Sequence, residues 1–231
     1  MARAASRLIG GAAAIAAALL ALFAGVGWFG GPLFTFVPAR NAPTPEARGV
    51  AAVMFSGDMG FHIGMAGAVA ARLAAAGIPV LGVNSLTFFR NERSPAEAAR
   101  LVGTAIARAL QITHRPRILL IGQSYGADIL PTGYAGVAEP LRARVTLLAL
   151  VVPNQTVALQ ASPASLLPVS ASARDALPAA ARLGNTSILC VYGAEQSDSL
   201  CSRLHLPNMA RAALPGGHYL HRDSKAVARV L

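Results

Sequence analysis

Apolar and polar positions along this chain fall into two regimes. From Leu8 to Phe36 the residues are almost continuously apolar, and no charge appears until Arg40. Beyond Gly49, short apolar runs alternate with longer stretches whose apolar residues recur every three or four positions. That alternation predicts a parallel sheet covered by helices on both faces. Val50–Phe55 is the first predicted strand, and a loop at Ser56-Gly57-Asp58-Met59-Gly60 leads into a helix over about His62–Ala76, ended by Gly77. Ile78–Val83 is the second strand. Ser94-Pro95-Ala96-Glu97 forms a capping box with proline at the first helical position, opening a helix to about Gln111. Strands follow at Arg117–Ile121, Arg144–Val151, Ser187–Tyr192 and 209–214, and a closing helix at Ser224–Leu231. Pro131 sits in the helix after the third strand, which should therefore be short or kinked. The Pro-, Ser- and Ala-rich segment 152–186 reads equally as a lid or as a long connection.

The N-terminal regime sets the compartment. Arg3 and Arg7 precede the apolar run, as in an export signal, and the run has the length to span a bilayer. No small-x-small cleavage site precedes Pro32, so an uncleaved signal anchor over 1–37 is favoured over a cleaved peptide. Pro38, Pro43 and Pro45 mark a linker over 38–49, and the exported domain occupies 50–231. The expected location is periplasmic, tethered to the inner membrane. A hydrophobic content of 54% is ample for a core. Twenty Lys and Arg against ten Asp and Glu give a net charge of +10. The arginines are dispersed, Lys225 is the only lysine, and no basic block is interleaved with aromatics, which argues against nucleic acid. Anionic membrane lipid is the expected partner.

Candidate chemistry centres on Gly122-Gln123-Ser124-Tyr125-Gly126, between a buried strand and a helix start. In that context G-x-S-x-G reads as a nucleophile elbow, with glycines needed where the turn is tight and Ser124 raised at a helix N-terminus. A serine hydroxyl needs a base, and the base needs an orienting partner. His218, in the loop Leu214-Pro215-Gly216-Gly217 after the last strand, is the expected base, with His221 as the lesser candidate. Glu195 and Asp198, in the loop after Tyr192-Gly193, are both placed to serve as the acid. The oxyanion donors are expected to be the backbone N–H groups of Tyr125 and Asp58. Cys190 and Cys201 bracket the acid loop and, in an exported protein, read as a disulfide. No His/Cys cluster has metal-ligand spacing, and no cofactor is expected.

The chain also resembles the VirJ/AcvB family of bacterial virulence proteins over roughly residues 50–231. The similarity lies in Ser56-Gly57-Asp58, Asn84-Ser85-Leu86 with Phe88-Phe89, and the elbow through Leu130-Pro131. It continues in Val191-Tyr192-Gly193, Asp198-Ser199-Leu200-Cys201 and Pro215-Gly216-Gly217-His218. The resemblance implies an α/β-hydrolase fold with a mostly parallel sheet, helices on both faces and a minimal cap. It further implies an exported serine hydrolase that cleaves lysyl-phosphatidylglycerol, with Ser124 as nucleophile, Asp198 as acid and His218 as base. The chain departs from the family at Asp58-Met59-Gly60-Phe61, where two glycines and a tryptophan are usual. Asp58 and Asp128 are candidate acceptors for the lysyl amines. Asn84, Arg90 and Arg93 are candidates for the lipid phosphate. The resemblance equally raises a noncatalytic factor associated with a secretion system, and the elbow alone would also suit a general carboxylesterase or lipase.

Overall fold

A computed structural model describes residues 2–25, 28–161 and 173–231. Its centre is a seven-stranded sheet in the order β1-β3-β2-β4-β5-β8-β9. The strands are β1 (Phe34–Val37), β2 (Val50–Phe55), β3 (Val80–Val83), β4 (Arg117–Gln123), β5 (Val145–Val151), β8 (Ile188–Gly193) and β9 (Met209–Leu214). A separate two-residue ribbon, β6 (Thr156–Val157) with β7 (Arg174–Asp175), lies between β5 and β8 in sequence. Every pairing in the large sheet is parallel except β1 with β3.

The helices are α1 (Ala2–Gly25), α2 (Gly60–Ile63), α3 (Met65–Ala75), α4 (Ser85–Phe89), α5 (Pro95–Thr113), α6 (Tyr125–Ala135), α7 (Glu139–Arg142), α8 (Leu177–Ala180), α9 (Leu200–Arg203) and α10 (Ser224–Val230). The alternation of side chains along a strand divides the core in two. Ala51, Val53 and Phe55 of β2 pack with Leu101, Val102 and Ile106 of α5 and Leu130 of α6. Ala52 and Met54 point the other way, onto Val69 and Leu73 of α3 and Val227 of α10. Strands buried on both faces have no polar side to show, which explains their unbroken apolar runs.

Three expectations are revised. The boundary at residue 37 falls inside the fold: Phe34–Val37 pairs with Val80–Val83, and Trp28, Leu33 and Phe34 pack against the core. The run reads as membrane-like because an edge strand and its lead-in are as apolar as the helix before them. Residues 38–49 also lie on the domain, Arg40 N–H donating to Ala74 O and Asn41 Nδ2 to Ala75 O. The helix expected over His62–Ala76 is two helices, broken where Gly64 takes an extended conformation. Their crossing is tight, a Cβ at Gly67 falling 2.7 Å from Phe61 O. The helix carrying Pro131 is short, ending at Ala135 after eleven residues. Among the described residues no helix is long and apolar enough to cross a membrane. The centre of 152–186, residues 162–172, lies outside the described residues; its two ends are tied down by Arg93 N–H to Leu159 O, Ala161 N–H to Phe89 O and Ala176 N–H to Gln155 O.

Cys190 and Cys201 are bonded, joining β8 to α9 across the loop that faces the catalytic edge. Replacing both by serine should lower stability by about 2–3 kcal/mol, the chain-entropy value for a loop of this length. A shift of the urea midpoint measures it; an unchanged midpoint would mean that packing alone orders this loop.

Candidate active site

β4 ends at Gln123 and α6 starts at Tyr125, so Ser124 is the whole turn between strand and helix. Its φ of 52° and ψ of −122° are unfavourable for an L-residue, and they aim the hydroxyl off the carboxyl edge of the sheet. The flanking glycines are forced by approach distance. A Cβ on Gly122 would meet Gly126 O at 2.5 Å and Ala127 Cα at 2.7 Å. One on Gly126 would meet Phe55 O at 2.5 Å and Ser56 O at 2.7 Å. Gly57, just after β2, lies against the nucleophile, its missing Cβ directed to Ser124 Cβ at 3.4 Å. The loop expected to supply an oxyanion donor is therefore beside Ser124. Among the described residues neither the Asp58 nor the Tyr125 amide donates within the protein, so both remain available to a ligand.

β9 delivers the base. Ser124 Oγ and His218 Nε2 are 2.8 Å apart. The loop after β8 and the loop carrying His218 are sewn together by Ala194 N–H to Leu214 O and Glu195 N–H to Gly216 O. They pass so closely that a Cβ on Gly193 would overlap the carbonyls of Gly216 and Gly217. His218 is mostly buried, and this desolvation lowers its pKa below the ordinary imidazole value, opposed by the negative charges of Asp198 and then Asp58. A ring kept neutral at pH 7 is the form a general base requires.

Strained backbone gathers here, as it does at many functional sites. Val152, at the end of β5, has φ 49°, an outlier for a β-branched residue. Leu220, His221 and Arg222 form a left-handed turn with φ of 46°, 49° and 57°. Val152 and Arg222 line the same cavity as Gly57, Asp58, Met59, Ile63, Gln123, Ser124, His218 and Tyr219, with a volume of about 310 Å³.

The expected residues separate into those that reach this cavity and those that do not. Ser124, His218 and Asp58 line it. Asp198 is exposed on the β8 loop, where its charge is felt by His218, but among the described residues its carboxylate makes no hydrogen bond to the ring. His218 Nδ1 is instead paired with the Gln196 side chain at 3.0 Å. Glu195 is likewise exposed. His221 belongs to the left-handed turn before α10 and not to that helix. Asp128 is buried, accepting from Asn154 N at 2.7 Å and Asn154 Nδ2 at 2.9 Å, so it ties α6 to the chain after β5 and does not line the cavity. Burial pushes its carboxyl up to about 7, the Asn154 hydrogen bonds counteract this, and Asp58 and Asp198 add to the rise. Asn84 is buried at the start of α4, where its Oδ1 accepts from Thr87 N–H, a helix cap away from the cavity. Arg93 pairs with Glu97 and stacks over Phe88, and Arg90 Nη1 donates to Trp28 O. Gln196, Val152 and Arg222 were not anticipated. A search for carboxylates passes over an amide, and backbone strain at a valine or an arginine leaves no mark in composition.

The mostly parallel sheet, the serine elbow after β4 and the imidazole from the loop after β9 define an α/β-hydrolase. Solved structures share the fold. They include an α/β serine hydrolase homologue from Coxiella burnetii (TM-score 0.57, 12% identity, 85% of this chain and 88% of that one). Est1E from Butyrivibrio proteoclasticus is similar (0.55, 13%, 85% and 91%), as is the α/β hydrolase GrgF from a Penicillium species (0.61, 12%, 84% and 90%). Within this class the chain belongs to the VirJ family of bacterial virulence proteins, whose profile matches residues 49–231. No curated protein sequence matches it significantly.

Proposed function

We propose that the protein is an exported serine hydrolase that removes the aminoacyl group of lysyl-phosphatidylglycerol. The observation that carries the hydrolase is the 2.8 Å approach of His218 Nε2 to Ser124 Oγ on a strained elbow. Ser124 Oγ attacks the lysyl carbonyl carbon as its proton passes to His218 Nε2, and the oxyanion is met by the Asp58 and Tyr125 amides. The tetrahedral intermediate collapses with loss of the glycerol oxygen, which takes the proton from His218. Water, deprotonated by the same ring, then frees lysine and restores Ser124.

The substrate reading is supported by the distribution of charge. The chain has ten acidic residues and a net charge of +10, yet Asp58 lines the cavity and the charge of Asp198 is felt by His218 on its wall. The Asp58 carboxylate on the cavity wall suits a substrate whose acyl part is cationic. Arg222 on the same wall suits a phosphodiester. The rim is apolar, with Tyr219, Ile63 and Met59 exposed. The end of α1 reaches this rim, since a Cβ on Gly25 would lie 3.4 Å from Ile63 Cδ1. That arrangement suits a chain held by its N-terminal segment at the periplasmic surface of an anionic membrane.

The test is incubation with mixed vesicles of lysyl-phosphatidylglycerol, phosphatidylglycerol and a neutral diacyl lipid. Release of lysine with the fatty-acyl esters intact is the expected result. Release of fatty acid instead would make the protein a general lipase. Absence of both, with no fluorophosphonate labelling of Ser124, would favour the noncatalytic secretion-associated role.

A further inference from the structure

We infer that Gln196 is the positioning residue of the catalytic base, its amide oxygen accepting the hydrogen bond of His218 Nδ1–H. This rests on the hydrolase reading above and assigns the place next to the ring that a triad ordinarily gives to a carboxylate. Three observations carry it. Gln196 Nε2 lies 3.0 Å from His218 Nδ1, while His218 Nε2 faces the nucleophile. Gln196 is held there from both sides: its N–H donates to Gly193 O, and the preceding Glu195 N–H donates to Gly216 O of the histidine loop. Gln196 Oε1 is buried and, among the described residues, has no partner.

The proton count decides which end of the amide faces the ring. Ser124 can yield its proton only to an Nε2 that carries none, so the neutral ring must hold its proton on Nδ1. An amide nitrogen donating to Nδ1 would hold the opposite tautomer and leave Ser124 without an acceptor. A half-turn of the amide brings Oε1 onto Nδ1–H, which fixes the productive tautomer and gives the orphaned oxygen its donor. A neutral amide fixes the tautomer but contributes no full charge to the imidazolium. That part falls to the charges around the ring: Asp198 and Asp58 act on it directly, Asp128 stands buried behind the elbow, and Arg222 lines the same cavity with opposite sign.

The experiment measures kcat/KM against pH for a short p-nitrophenyl ester, with active serine counted by fluorophosphonate labelling. Gln196→Ala should lower kcat about 10²-fold or more, as expected when a base loses its tautomer control, with little change in KM. Gln196→Glu sets a carboxylate on Nδ1. It favours the charged ring, should recover much of the rate, and should move the acid limb of the profile to higher pH. Asp198→Asn removes a charge without touching the ring, so its acid limb should move to lower pH with a smaller rate loss. Wild-type rate and profile in both Gln196 variants, or a loss near 10⁴-fold in Asp198→Asn with little in Gln196→Ala, would overturn the assignment and restore Asp198 as the acid. Failure of the wild type to be labelled or to turn over ester would instead sink the hydrolase reading itself.

Discussion

Ser124→Ala is expected to lower ester hydrolysis by ~10⁴- to 10⁶-fold, the range seen when a triad nucleophile is deleted. Fluorophosphonate labelling should vanish with it. The fold should survive, because the substitution removes one oxygen whose only described partner is His218 Nε2. The Cβ remains, so the backbone strain at φ 52° is the same in serine and alanine. Melting temperature should therefore change by only a few degrees, which separates a chemical from a structural loss. His218→Ala should be nearly as damaging, and the double variant should be no worse than the worse single one, because nucleophile and base act as a unit. Retained turnover in Ser124→Ala would mean that another group carries the chemistry, and retained labelling that the reactive serine lies elsewhere.

How much of this could be read before the structure follows from the range of each interaction. The elbow was legible because its demands are local: a strand, a turn too tight for Cβ atoms, and a helix occupy consecutive residues. The same holds for the capping box at Ser94–Glu97, where both reciprocal hydrogen bonds form. Chain order left His205, His218 and His221, and the position of His218 in the Pro-Gly-Gly loop after the last strand selected it. The partner of that imidazole was not legible. Gln196 and Asp198 are two residues apart on one loop, and which of them turns inward depends on how Ala194 and Glu195 lock onto Leu214 and Gly216. Composition misled at Phe34–Val37, where an antiparallel edge strand continues the apolar character of the preceding helix. Asp128 shows a related limit. Its position one turn into α6 suggested a ligand role, but Asn154 arrives from the end of β5 and occupies both carboxylate oxygens. Long-range pairing of that kind has no signature in spacing.

The largest effect on the fold is expected from Gly126→Ala. Two terms oppose each other at this site. In a helix interior alanine is favoured over glycine by about 1 kcal/mol. Against that, the new methyl would fall 2.5 Å from Phe55 O and 2.7 Å from Ser56 O. Neither oxygen can retreat. Phe55 is fully buried in β2 between β3 and β4, and Ser56 N–H is bonded to Val83 O. Relief therefore requires α6 to lift from the sheet, which opens the layer holding Ala127 and Leu130 and swings Ser124 away from His218. The clash should win, with a stability loss of about 3–5 kcal/mol, at the severe end for a single substitution in a close-packed interior. Gly184→Ala is the matched control. Gly184 has φ −57°, and nothing lies within 4 Å of the added Cβ, so it should be neutral or slightly stabilising. Urea denaturation of both variants measures the difference. If Gly126→Ala unfolds at the wild-type midpoint while Gly184→Ala behaves as expected, then the helix sits farther from β2 than these contacts require. Any activity remaining in a folded Gly126→Ala would show that the elbow tolerates a shift of the serine without losing its base.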